Sequence, residues 1–63
     1  GFQALSFECP PIVGEAEFIG WATSTVAAAR KVAKSILVYG ARTTKRAGAL
    51  ASLGATHVSL DAA

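Results

Sequence analysis

Ser35-Ile36-Leu37-Val38-Tyr39-Gly40-Ala41-Arg42-Thr43-Thr44 is the stretch on which the fold turns. An Ala-rich segment precedes it, and then Ile36, Leu37, Val38 and Tyr39 run together until Gly40 stops them. A short apolar run closed by glycine reads as a strand buried on both faces. The opposite reading carries the preceding helix on through Tyr39 and makes the chain an all-α helical hairpin. The strand reading makes it α/β.

Working outward toward the C-terminus, Thr43 or Thr44 supplies a hydroxyl that can cap a helix over Lys45–Leu53. Ala47, Leu50, Ala51 and Leu53 give that helix an apolar side, and Gly54 suits the positive-φ residue that ends many helices. His57, Val58, Ser59 and Leu60 then form a last short strand. Toward the N-terminus, Glu15–Lys34 reads as a helix with Phe18, Ala22, Ala29, Val32 and Ala33 near one face. Glu15 and Glu17 at its start and cations at its end suit the helix dipole, worth about 0.3 to 1 kcal/mol per well-placed charge. Gly20 and the Thr23-Ser24-Thr25 run weaken its first half, so its start could fall as late as Trp21. Pro10 and Pro11 make 9–14 a loop, and the alternation in Phe2–Phe7 permits a first strand. The expected architecture is a small βαβαβ unit with a short parallel sheet, one small domain or fragment over 1–63.

At 63 residues, such a domain buries only about 60% of the surface its unfolded chain exposes. With 52% hydrophobic residues and no internal disulfide open to the single Cys9, the expected stabiliser is association, with a homo-oligomer or a larger protein assembly as partner. One His and one Cys fall short of a structural zinc site. No stretch offers the roughly 20 uninterrupted apolar residues of a membrane span, because Arg30, Lys31 and Lys34 break the longest candidate. The chain begins at Gly1 and contains no Met, which reads as a processed product or a piece of something longer. A lone thiol fits a reducing compartment such as the cytoplasm.

Charge is sharply polarised. All six Lys and Arg residues lie between Arg30 and Arg46, and all four acids lie outside that window. The expectation is one basic segment that meets an anionic partner.

Two stretches carry a family resemblance: Ser35-Ile-Leu-Val-Tyr-Gly-Ala-Arg42 and Ala51-Ser-Leu-Gly-Ala-Thr-His-Val-Ser-Leu-Asp61. Together they resemble the strand and the helix–turn–strand of the nucleotide-binding domain of medium-chain alcohol dehydrogenases. Residues 22–61 are equally similar to the N-terminal α/β domain of electron-transfer flavoprotein subunits, which there is chiefly scaffold. The first resemblance implies that Gly40-Ala41-Arg42 suits NADP, with Arg42 meeting the 2′-phosphate; the second implies a flavin nucleotide assembly. The turn Gly14-Glu-Ala-Glu-Phe-Ile-Gly20 lacks the spacing and middle glycine of a dinucleotide fingerprint, and its glutamates repel pyrophosphate.

The strongest local signal is Arg42, Thr43, Thr44, Lys45 and Arg46, where hydroxyls, cations and helix-start amides can converge on a phosphate or polyanion. Trp21, Arg30, Lys31 and Lys34 are candidate partner contacts. His57 has no Ser, Cys or carboxylate at an informative spacing, and Glu15 and Glu17 point in different directions on a helix, so no catalytic residue is nominated. Cys9 reads as a small buried hydrophobe. Three functions follow: a module of a nucleotide-binding or redox assembly, not catalytic alone; a self-assembling coat or filament subunit whose basic segment faces nucleic acid or a neighbouring copy; and a cationic membrane-active peptide that uses Glu15–Tyr39 as an interfacial helix.

Overall fold

The computed structural model describes residues 2–61. Its elements are β1 (Phe2–Glu8), α1 (Glu15–Arg30), β2 (Ala33–Tyr39), α2 (Thr44–Leu53) and β3 (His57–Val58). They form the expected small α/β unit: a parallel three-stranded sheet in the order β1-β2-β3. The all-α hairpin is thereby corrected, and with it the continuous Glu15–Tyr39 helix that the membrane-active reading needs.

Alternation in the strands sets the two faces of the sheet. Leu5 lies beside Ile36, and Phe7 beside Val38, which in turn neighbours Val58. These residues point toward the helices, where Phe18, Val26, Ile36, Val38 and Leu50 are fully buried in one core. Both helices pack on this face. On the other face Ala4, Ser6 and Glu8 stand beside Ser35, Leu37 and Tyr39, and no described helix covers them. Ile36 and Val38 are buried while Leu37 and Tyr39 keep part of their surface open, so β2 is covered on one face and not on two.

Several boundaries differ from expectation. α1 stops at Arg30, not Lys34, because Lys31 N–H and Val32 N–H turn back to the Ala28 and Ala29 carbonyls at 3.2 and 3.1 Å, while Ala33 and Ser35 pair with Phe2 and Ala4 of β1. Tertiary pairing outweighs the helix propensity of alanine here. Val32 is consequently 42% exposed, and Val26 takes the core position instead. The start of α1 is not delayed to Trp21: Gly20 faces open space, and the Thr23 hydroxyl donates back to the Ile19 carbonyl at 2.7 Å. β3 is shorter than 57–60, yet Ser59 N–H still donates to the Val38 carbonyl at 2.8 Å.

Thr56 anchors the start of β3. Its hydroxyl accepts from Ile36 N–H at 2.8 Å and donates to the Ile36 carbonyl at 2.9 Å, which also receives Thr56 N–H at 2.9 Å. At the end of α2, Gly54 has φ +125°, and a Cβ there would meet Arg30 Cδ at 2.6 Å. The backbone favours glycine at Gly54, whereas the exposed Arg30 side chain could swing aside for a Cβ.

Candidate functional site

In a parallel sheet, both strand-to-helix turns emerge at the carboxyl edge, where ligands of open α/β sheets bind. The first turn, 9–14, leads into α1; the second, 40–43, leads into α2. Between them lies a cleft of about 300 Å³ lined by Pro11, Ile12, Val13, Glu15, Arg42, Thr43 and Arg46.

Arg46 is turned inward and fully engaged. Its Nε donates to Glu15 Oε1 at 2.9 Å, Nη1 to the Ile12 carbonyl at 2.7 Å and Nη2 to the Val13 carbonyl at 3.1 Å, and Nη2 lies 2.8 Å from Glu15 Oε1. Its Cζ sits 4.7 Å from the centre of the Phe18 ring. The planar fork of arginine suits this clasp, which ties the first turn and α1 to α2. A charge so engaged is withdrawn from any ligand; sequence spacing had grouped Arg46 with Arg42 and Lys45, and only the tertiary structure separates them.

The second turn is open to solvent. Thr43, not Thr44, caps α2: its hydroxyl accepts from Arg46 N–H at 3.1 Å. The first two helical amides, Thr44 and Lys45, belong to the set that a helix leaves without an internal partner. Arg42, Thr44 and Lys45 are exposed, and among the described residues neither Arg42 nor Lys45 forms an ion pair. Arg42 holds φ +72°, a left-handed backbone that is rare outside glycine. It is held there by hydrogen bonds from Gly40, Ala41 and Arg42 N–H to the Asp61, Ser59 and Leu60 carbonyls at 2.9, 3.1 and 3.0 Å. Those amides are occupied, so an anion would be met by Thr44, Lys45 and the Arg42 side chain.

Arg30, Lys31 and Lys34 do not join this group. They lie where α1 ends and β2 begins, at the amino edge, separated from Arg42 by the length of β2, about 20 Å. The basic window that is continuous in sequence is therefore two groups at opposite ends of the sheet. Trp21 is half-buried, its ring 6.1 Å from Phe7 and 5.9 Å from Phe18.

Cys9 is buried at the end of β1. Burial pushes its thiol above the ordinary value of 9.0, Arg42 and Arg46 pull it down, and Glu8 adds to the rise. That is the state of an unreactive thiol. Among the described residues no group of three or more His, Cys, Asp or Glu could hold a metal ion, and no helix is long and apolar enough to cross a membrane. No family model matches the chain, and no curated protein or solved structure matches it.

Proposed function

We infer that the chain is an α/β module of a nucleotide-binding or redox assembly, receiving a phosphate group at its second turn and not catalytic alone. The observation that carries this reading is the junction of an exposed Arg42, without an ion pair among the described residues and in a left-handed backbone, with the open start of α2 at the carboxyl edge. Thr44, Lys45 and the helix-start amides complete a small anion receptor. The division of the cations between two edges favours a compact phosphate over an extended polyanion, which is tracked by a continuous basic groove. NADP, through its 2′-phosphate, is the first ligand to test, with a flavin nucleotide second.

Titrating the chain with NADP, NAD and inorganic phosphate while following its melting temperature tests this directly. NADP should raise the melting temperature, and the combination of Arg42→Gly with Lys45→Gln should abolish the rise. Glycine is chosen because it adopts φ +72° without strain, so the fold is kept. Equal responses of parent and variant would overturn the assignment.

A second reading, a non-enzymatic subunit that assembles with copies of itself, is favoured by a separate observation. The outer edge of β1 has no strand beside it among the described residues.

A further inference from the structure

β1 is an edge strand of seven residues with a single charge, Glu8. Edges of this kind present a row of unpaired backbone groups and are ordinarily blunted by charge, proline or a covering element. Among the described residues none of these blunts β1 over 2–7. Alongside it runs a groove of about 460 Å³, lined by Leu5 and Phe7 from the strand and by Ser24, Thr25, Ala28 and Val32 on the α1 side. Its walls are β1 and α1, with Val32 at the exit of the helix. α2 does not enter it.

The face of α1 beside this groove has a polarity of its own. Trp21 marks that face by its edge-on contact with Phe7. Extending it by helical spacing gives Glu17, Trp21, Ser24, Ala28 and Lys31, with the acid at one end and the cation at the other. Glu17 and Lys31 are both exposed, about 21 Å apart along the axis and within about 40° of the same direction. Ser24 lies midway between them. Ser24 and Ala28 are small enough to let a second helix approach closely.

Such a face is complementary to itself when reversed. We propose that the β1 edge and its groove bind a second copy of this chain about a two-fold axis, strand β1 pairing antiparallel with its equivalent. Leu5, the middle residue of β1, then lies at the axis, and the two three-stranded sheets continue into one. The antiparallel α1 helices meet at Ser24 and Ala28, and Glu17 of each copy faces Lys31 of the other. An isologous contact of this kind satisfies both edges at once and closes the assembly at two copies. This proposal rests on the self-assembly reading and is independent of phosphate binding at the second turn.

Sedimentation velocity over a concentration series, with far-UV circular dichroism to confirm folding, tests it through charge reversal. The parent should sediment at twice the chain mass and shift toward monomer as salt rises. Glu17→Lys and Lys31→Glu should each weaken the dimer about tenfold, since each exchanges two attractive contacts for two repulsive ones. Combining them should restore it. Ala28→Arg, which places a charge in the groove, should give monomer with unchanged helicity. A parent that stays monomeric at every concentration overturns both the proposal and the self-assembly reading, leaving the edge to a different partner. An oligomer indifferent to all four variants overturns this surface alone and leaves assembly to another face.

Discussion

The two turns at the carboxyl edge occupy equivalent places in the topology and have opposite electrostatic character. The first carries Pro10 and Pro11, starts its helix on Glu15, and is closed by Arg46 reaching across from α2. The second starts its helix on a threonine cap and leaves Arg42 and Lys45 facing water. In dinucleotide-binding folds the first turn is the one that receives phosphate. Here an acid and its arginine hold that position, and the exposed cations stand one βα unit further along the chain. Position in a fold offers a site; the charges at the helix start decide whether it is used.

Breaking the first turn should have the largest effect. Arg46→Ala removes the ion pair, two hydrogen bonds to carbonyls and the contact over Phe18. Truncating one member of a fully buried pair costs about 3 to 5 kcal/mol, and here only Arg46 is buried. The Glu15 side chain is 52% exposed and can rehydrate, which favours the lower end of that range. A domain of this length has about 3 to 9 kcal/mol in all. Arg46→Ala should therefore remove at least about a third of that stability, read as a clearly lowered urea midpoint by Trp21 fluorescence. A midpoint within error of the parent would show that the clasp contributes little.

The second turn should answer more mildly. Thr43→Ala deletes the cap on Arg46 N–H and should cost about 1 kcal/mol, with Thr43→Gly costing only a few tenths. Urea denaturation of both variants checks the order. A larger loss at Thr43→Ala than at Arg46→Ala would invert the contrast between the turns.

The architecture was legible because its signals are local. Ile36–Tyr39 stopped by Gly40, a threonine cap and Gly54 at a helix end each report on a few neighbouring residues. The ends of elements were less legible: residues 31–34 continue a helix by composition, and only pairing of Ala33 and Ser35 with β1 makes them strand. The placement of the candidate residues was legible in part. Arg42, Thr44 and Lys45 stand together at the second turn as the sequence grouped them. Arg46 departs because its partners, Glu15 and the carbonyls of Ile12 and Val13, are more than thirty positions away, beyond the reach of any local pattern. The Arg30, Lys31 and Lys34 group departs because a strand reverses nothing in sequence yet carries the chain across the whole sheet. One signal went unread: an acid opening α1 and an arginine near the start of α2 are suited to meet when both helices start at one edge.

The smallest effect concerns Cys9, which opens the first turn and registers the charge of Arg42 and Arg46. Arg42 and Arg46 each lower the pKa of its thiol, but burial outweighs them and the net shift is upward from 9.0. A folded-state pKa above the unfolded one means that the folded chain holds the proton more tightly, so the associated stability is fully present below pH 9.0 and is lost as pH rises through the folded value. The contribution of Cys9 is the difference between the parent and Cys9→Ala. The alkaline fall in urea midpoint should be shallower in Cys9→Ala. Arg42→Gly should move the thiol further upward, seen as slower alkylation at a given alkaline pH, because one of the two stabilising cations is gone while the burial remains. Alkylation that speeds up in Arg42→Gly would mean that the turn shields Cys9 sterically, and that the charge of the second turn does not reach across to the first.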